Sequence, residues 1–227
     1  MNKMRILAIS SVLGISVAAN AVVITQSVSQ TLVAGSVSCN SGGITSDNGY
    51  SRGFTLASHG ITQPFQVSAV QFGVEQATAG AGNGGQQAVT VNIYDGFTTS
   101  GSTLTYGALA GTTTGMVADG SLFMQTMNVN GLITSGLLAV EIFVADSTGA
   151  GGDGDSFFIG SNALGQTGPG YIRSIGCGLP NNTQLGAIGF PNMHMVINVE
   201  GTAVPEPASM AVLGAGALAL IRRRRSK

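Results

Sequence analysis

The sequence predicts an all-β fold, with a jelly-roll-like β-sandwich as the body of the protein. Apolar residues alternate with other residues over short runs, as at Val89, Val91 and Ile93, which is the period of a strand with one buried face. The chain has 35 glycines, and glycine-rich or amide-rich turns separate these runs. No stretch of the body repeats apolar residues at helical spacing, so strands without intervening helices predict a sandwich or a barrel, of which we favour the sandwich.

Each predicted strand is an alternating or β-branched run that ends at Gly, Asn, Asp or Pro. The predicted strands are 22–25, 27–33, 53–57, 65–74, 88–94, 103–109, 122–129, 137–144, 156–159, 171–175, 186–190 and 194–200. Residues 149–154 match a G-x-G-x-x-G pattern, but a strand pattern follows them where a dinucleotide site needs a helix. We therefore interpret that segment as a hairpin loop.

Charge is scarce and unevenly distributed along the chain. Hydrophobic residues make up 44% of the sequence and charged residues 8%, yet uncharged polar residues interrupt every apolar run of the body before it reaches the length of a membrane span. Between positions 22 and 204, nine carboxylates stand against two arginines and no lysine. Such an acidic body repels phosphate backbones, so we expect no nucleic-acid partner.

The first 21 residues have the features of a secretory signal. Lys3 and Arg5 precede a mostly apolar run at 6–18, and the small residues Ala19 and Ala21 mark a cleavage position. We expect a signal helix over 1–21 that the secretion machinery recognises and that is removed after Ala21. An uncleaved N-terminal helix is the alternative.

The last residues, 204–227, form a tail of three parts behind the predicted body, 22–203. Two prolines around Glu206 keep the chain extended, which suits it to a protease or transpeptidase groove. The run 208–221 is apolar and predicts a hydrophobic helix, although it is short for a full span. A basic cluster that would stay on the cytoplasmic side follows it: Arg222, Arg223, Arg224 and Arg225.

This tail resembles the PEP-CTERM sorting signal of exopolysaccharide-producing bacteria, whose namesake motif corresponds to Pro205, Glu206 and Pro207. The resemblance implies recognition by an exosortase, a membrane-embedded enzyme similar to cysteine transpeptidases. It implies export, transient retention in the inner membrane through the tail helix, and then release or transfer to the cell surface or extracellular matrix. It covers about the last tenth of the chain and says nothing about the activity of the body. An ordinary tail anchor is the alternative.

Cys39 and Cys177 are the two cysteines of an exported chain, which predicts one disulfide between them. Such a bond closes a loop of more than a hundred residues, for which chain entropy gives about 4–5 kcal/mol of stabilisation. Two unpaired buried thiols are the alternative.

Three carboxylates and one patch are candidate binding residues. Asp146, Asp153 and Asp155 fall in one loop and offer the hard oxygen ligands that Ca²⁺ prefers, although they lack the order of an EF-hand; solvent-facing turn residues are the alternative. We expect no other cofactor. The candidate residues for glycan contact are Asn162, Gln166, Tyr171 and Arg173, and a turn held by Asn and Gly is the alternative there.

Catalytic constellations are not evident in the sequence. No G-x-S-x-G motif occurs, and His59 and His194 are interpreted as surface or structural residues. Glu75 and Glu141 could form a carboxylate pair for glycoside hydrolysis, but each lies in or beside a strand that can point it outward. We therefore expect a non-enzymatic surface or matrix protein with a structural or polysaccharide-contacting role. The alternatives are a glycan-active or other hydrolytic enzyme and a calcium-dependent adhesion module.

The two ends predict the mass of the native protein. In exosortase-competent cells we expect protein recovered from cells and medium to lack residues 1–21 and the apolar, arginine-ending tail, with any added group at the new C-terminus. Intact-mass spectrometry measures this directly. A native protein that still ends at Lys227 would contradict the sorting prediction.

Overall fold

The computed structural model describes residues 21–149 and 152–205, and every regular element in these residues is a strand apart from two single 3₁₀ turns, Leu56–His59 and Leu185–Ile188. The predicted signal, 1–21, and the predicted tail, 204–227, lie outside the described residues except for Ala21, Val204 and Pro205, and the tail helix lies wholly outside them. Within 21–149 and 152–205 no helix has the length and hydropathy needed to cross a membrane. The all-β prediction for the body is confirmed.

Fifteen strands make up the described chain, and the long ones are the hairpin-forming strands of its middle third. In chain order they are β1 Val22–Thr25, β2 Asn40–Ser41, β3 Ile44–Thr45, β4 Asn48–Thr55, β5 Phe65–Thr78, β6 Gln86–Ser100, β7 Thr103–Ala118, β8 Gly120–Ile133, β9 Leu137–Val144, β10 Ser156–Ile159, β11 Ser161–Asn162, β12 Gly170–Ser174, β13 Leu179–Gln184, β14 His194–Met195 and β15 Ile197–Ala203.

β5 is the centre of the first antiparallel sheet. β8 pairs along one side of it, from Phe65 opposite Ile133 to Ala77 opposite Gly120. On the other side β15 pairs with the first half of β5 and β10 with the second half. β1 adds to the outer edge of β15, with Val22 opposite Gly201. The first and last strands of the body are therefore neighbours.

The second sheet closes on itself in the order β12, β13, β7, β6, β9, β4 and back to β12. We call these six strands the ring. The favoured jelly-roll-like sandwich has two open sheets, so this closure differs from it and corresponds to the barrel alternative. It depends on the long β6–β7 hairpin, whose turn contains Gly101 with φ +57°, a conformation that favours glycine. Beyond that turn β13 bonds to Leu104 on β7, which completes the circle.

The apolar core lies between the first sheet and one side of the ring. Alternate residues of each strand enter it: Val89, Val91 and Ile93 from β6 are all 0% exposed, as the alternation predicts, and Phe65 and Phe72 face them from β5. Because alternate residues of these strands enter the apolar core, the residues between them point into the interior of the ring.

Strand predictions succeed where one face is clearly apolar and fail where turn residues take part. β1, β9 and β10 have the predicted bounds, and the predictions for β5 to β8 are correct but too short. The segment 27–33 is not a strand, because its β-pairing is limited to isolated bridges at Ser27 and Val33. The predicted strand 186–190 is wrong: Gly189, at φ +96°, caps a 3₁₀ turn there instead.

β13 has no counterpart among the predicted strands, since its sequence Leu-Pro-Asn-Asn reads as a turn. The β12–β13 register shifts between Ile172 and Ser174, next to the place where Pro180 enters the ladder. A proline lacks the N–H that a regular ladder requires, and such an irregularity tolerates it. Tertiary pairing on both sides of β13 therefore overrides the local turn signal.

The disulfide between Cys39 and Cys177 is present, which confirms that prediction. The bond joins residues 138 positions apart, so the expected entropic stabilisation is about 4–5 kcal/mol. Asp47 fixes the segment before Cys177 by accepting hydrogen bonds from Ser174 Oγ at 2.7 Å, Gly176 N at 2.9 Å and Ile175 N at 3.0 Å. The covalent and the polar link therefore hold the same turn.

Carboxylates hold several other turns in the same way. Asp95 accepts from the backbone N–H groups of Thr134 and Ser135. Glu75 accepts from those of Gly35 and Ser36 and so attaches the irregular segment before β2 to β5. Burial raises the pKa of Asp47 and of Asp95, but the hydrogen bonds outweigh it and leave each pKa below its usual 3.8.

These carboxylates predict acid sensitivity with a definite sign. The unfolded chain binds protons at Asp47 and Asp95 at a higher pH than the folded chain does, so their stabilisation is complete above the ordinary pKa of 3.8 and is lost as pH falls through the lower folded values. We expect the melting temperature to fall between about pH 5 and about pH 3. In Asp47→Asn/Asp95→Asn it should start lower and fall less. Parallel melting curves for the two proteins over this interval would contradict the assignment.

Candidate functional site

The interior of the ring holds polar side chains at its centre. On β4 the residues that face inward are small: Gly49, Ser51 and Gly53. A Cβ at Gly49 would overlap the Glu141 carboxylate and lie 2.9 Å from Cγ of Arg173. The missing side chain is therefore what gives this acid and this base room to meet.

Glu141 and Arg173 form an ion pair inside the ring. Arg173 Nε donates to Glu141 Oε1 at 2.6 Å, and the Glu141 side chain is 1% exposed. Asn92 Nδ2, at 3.0 Å, and Tyr94 Oη, at 3.2 Å, donate to the other carboxylate oxygen. The guanidinium also lies 4.8 Å from the centroid of the Phe143 ring. A buried carboxylate is tolerated only with such partners, and each oxygen of Glu141 has at least one.

Two tyrosines complete this group, which we call the polar centre: Ser51, Asn92, Tyr94, Tyr106, Glu141, Arg173 and Asn182. The rings of Tyr94 and Tyr106 are stacked, with centroids 4.0 Å apart and planes 1° from parallel. Tyr106 Oη lies 2.5 Å from Ser51 Oγ and donates to Asn182 Oδ1 at 2.9 Å. Together with the contacts of Glu141, these bonds link residues from all six ring strands.

Electrostatics fix the protonation of the polar centre. Burial, together with the charge of Glu141, raises the pKa of Tyr94 and of Tyr106, so both stay protonated. Burial lowers the pKa of Arg173, but its hydrogen bond to Glu141 and the opposite charge outweigh this effect and leave the pKa above its ordinary value. At neutral pH both tyrosines are therefore uncharged and Arg173 carries its positive charge.

Two cavities adjoin the ring interior, and Leu104 lines both. The smaller, about 410 Å³, we call the Tyr106 groove; its lining is Tyr94, Leu104, Thr105, Tyr106, Arg173, Pro180, Asn181 and Asn182. The larger, about 620 Å³, we call the Phe97 cleft; its lining is Thr25, Gln26, Gly53, Thr55, Ser58, His59, Phe97, Thr99, Leu104, Thr167, Gly168, Pro169 and Tyr171. Its volume is within the usual range for small-ligand sites.

Gly53 and Phe97 shape the larger cavity. The Phe97 ring takes the space of a side chain at Gly53, with Cζ 2.8 Å from where a Cβ would stand. Tyr171 packs with Leu104 and Ala139 beside the aromatic ring of Phe97. The Phe97 cleft therefore has two aromatic rings in its lining.

Arg52 supports the wall of the Phe97 cleft from behind. It is 0% exposed and points away from the ring interior. Its Nη1 donates to Gln26 Oε1 at 3.1 Å and to Gly168 O at 3.0 Å, and its Nη2 to Gln166 Oε1 at 2.8 Å and to Met195 O. All four acceptors are neutral, and burial lowers the pKa of Arg52 to about 10, which still leaves it charged at neutral pH. Arg52 therefore ties Gln26, the segment 166–168 and Met195 together behind the cleft.

The four residues predicted for glycan contact do not form one patch. Tyr171 lines the Phe97 cleft, whereas Arg173 belongs to the polar centre. Asn162 is 2% exposed, and its Nδ2 donates to the carbonyls of Ser29 and Thr31. Gln166 accepts from Arg52. The Asn162 side chain therefore binds backbone carbonyls, and the Gln166 side chain binds the Arg52 guanidinium.

The predicted calcium ligands also have other partners. Asp146 accepts from Thr148 two residues later, and Asp155 accepts from Gly80 N and Asn83 Nδ2. Asp153 lies with its backbone against Gly80. Among residues 21–149 and 152–205, no three acidic, histidine or cysteine side chains come together as a metal site.

The residues considered for catalysis each have a different structural contact. Glu75 attaches the segment at Gly35, while Glu141 points inward and not outward as its strand pattern allowed. His194 Nδ1 accepts from Gly165 N at 2.9 Å, and His59 lines the Phe97 cleft. The polar centre itself was missed. Its signal in the sequence is a lone Glu in a strand that is apolar on both faces, Leu-Leu-Ala-Val-Glu-Ile-Phe-Val.

Comparison with known proteins bears on the tail alone. Residues 203–225 match the PEP-CTERM protein-sorting motif. The match confirms the resemblance drawn from Pro205, Glu206 and Pro207, and it indicates an exported protein whose tail is held in the membrane and processed by an exosortase. No curated protein and no solved structure gives a significant match to the chain.

The polar centre predicts that position 49 tolerates no side chain. We expect Gly49→Ala to lower the free energy of unfolding by about 1–3 kcal/mol or more, because the methyl group displaces the Glu141–Arg173 pair. Urea denaturation measures the change. Gly186→Ala is the matched control, since its Cβ would meet nothing closer than 3.7 Å. Equal losses for the two variants would contradict this account.

Proposed function

We propose that the protein is a non-enzymatic component of the cell surface or extracellular matrix, sorted through its tail, whose β body contacts extracellular polysaccharide. The observation that carries the proposal is the combination of the sorting motif at 203–225 with an aromatic-lined cleft in the body. Sugar rings present apolar C–H faces and hydroxyl edges, so aromatic rings next to hydroxyl groups suit them.

The use of the carboxylates supports a binding role over hydrolysis. Hydrolysis of a glycosidic bond uses two carboxyl groups that face each other across the substrate. Six of the nine carboxylates of the body accept a hydrogen bond from a backbone N–H, and these are Asp47, Glu75, Asp95, Asp119, Asp146 and Asp155. A seventh, Glu141, is neutralised by Arg173. These seven groups stabilise the fold, which leaves few carboxylates for acid–base chemistry.

Binding and cleavage can be separated in one experiment. Processed protein recovered from the producing cells is incubated with purified native exopolysaccharide, and retention, polymer length and new reducing ends are measured. We expect retention with no change in length and no new ends, both with and without EDTA. Absence of retention would contradict the contact role, and shortened polymer would favour the hydrolytic alternative. Retention that EDTA abolishes would favour calcium-dependent adhesion.

A further inference from the structure

We propose that the Phe97 cleft is the polysaccharide site and that it binds a segment of uncharged sugar residues. This inference rests on the proposed function and adds to it the place of binding and the class of sugar. The cleft is the larger of the two cavities next to the ring interior, with about 620 Å³ of space.

Free hydroxyl groups give the cleft its hydrogen-bonding capacity. Thr55, Ser58, Thr99 and Thr167 all line it and are all exposed. None of these four side chains bonds to another residue in the described part of the chain, in contrast to the hydroxyls of Ser51 and Tyr106 in the polar centre. Each hydroxyl can donate and accept, which matches the hydroxyl groups of a sugar.

The aromatic residues supply the other half of the recognition. The Phe97 ring is partly exposed beside Gly53, and Tyr171 lies on the neighbouring wall. A ring face pressed against the apolar C–H face of a pyranose removes both from water, as in other pockets that combine apolar surfaces with a few polar groups. The arrangement therefore favours a ligand that has both an apolar face and a hydroxylated edge.

The lining offers no charge to a charged sugar. The thirteen described lining residues include no carboxylate, lysine or arginine, and the imidazole of His59 has its pKa lowered by burial. Arg52 lies behind the wall with its guanidinium directed to neutral protein oxygens. A uronate carboxylate in the cleft would lose water without gaining a cation, which costs free energy.

The wall of the cleft is also fixed before ligand arrives. Gln26 Nε2 donates to Gly53 O at 2.7 Å while Gln26 Oε1 accepts from Arg52, so the whole amide is held. Arg52 holds Gly168 O as well, which positions the loop that carries Thr167. Because these groups are already ordered, binding costs less conformational entropy.

The test compares cleft variants with matched controls. Full-length chains are expressed and processed in exosortase-competent cells, and calorimetry measures their binding to native exopolysaccharide, to neutral hexasaccharides (gluco-, manno-, galacto- and xylo-oligosaccharides) and to oligogalacturonate. We expect Phe97→Ala to weaken binding of the native polymer and of the best neutral hexasaccharide at least tenfold, whereas Phe190→Ala, outside the cleft, leaves both unchanged. Thr99→Val/Thr167→Val should also weaken binding, and its control is Thr98→Val on the same strand.

The outcomes separate this inference from the proposed function. If the Phe97→Ala and the Thr99→Val/Thr167→Val proteins both bind native polymer as tightly as the wild type does, the contact lies elsewhere. This result would overturn the proposed site. Tighter binding of oligogalacturonate than of every neutral hexasaccharide overturns the class of sugar. Wild-type protein that binds no polysaccharide at all overturns the proposed function itself. Melting temperatures show whether Phe97→Ala is folded, and the double threonine variant, which removes only exposed hydroxyls, decides the question if it is not.

Discussion

A closed ring of strands has to be filled from the inside, and in this protein a single ion pair fills the critical position. Glu141 comes from β9 and Arg173 from β12, and the absence of a side chain at Gly49 on β4 lets them meet. Such a pair adds little net stability compared with apolar packing, but removing one partner is costly. It also demands one register, because each ring strand must bring its own polar residue to the same point. We infer that the polar centre specifies how the ring closes.

The few charged side chains of the body are used mainly to hold turns. Most carboxylates of the body bind backbone N–H groups of turns, as Asp47 does beside the disulfide and Asp95 does at Thr134 and Ser135. A chain with many glycine turns loses much backbone entropy on folding, and each such bond offsets part of that loss. The surface that remains carries hydroxyls and amides together with exposed apolar residues such as Val28 and Ile175. It stays hydrated without lysines, and it suits contact with a hydroxyl-rich polymer.

The sequence was sufficient for the fold class, the disulfide and the sorting tail, and insufficient for the candidate site. Alternation over residues 88–94 indicates burial directly, because the pleat repeats every two residues. Ring closure depends on pairing between β13 and Leu104, far apart in the chain, and a turn-like sequence conceals it. The Phe97 cleft combines residues from separate segments between positions 25 and 171, so no local pattern could predict it. Asn162 and Gln166 were predicted as glycan contacts, but their side chains bind backbone carbonyls and Arg52.

The pairing of β1 with β15 has a consequence for the order of events during secretion. In the described chain β1 pairs with β15, and Cys39 likewise bonds to Cys177, which comes much later in the sequence. Residues that emerge first on the outer side thus find their partners only when the last part of the body has followed. A half-translocated chain cannot complete its first sheet or its disulfide. It therefore stays unfolded while the rest of the chain crosses. The body can therefore complete its fold only after all of it has crossed the membrane.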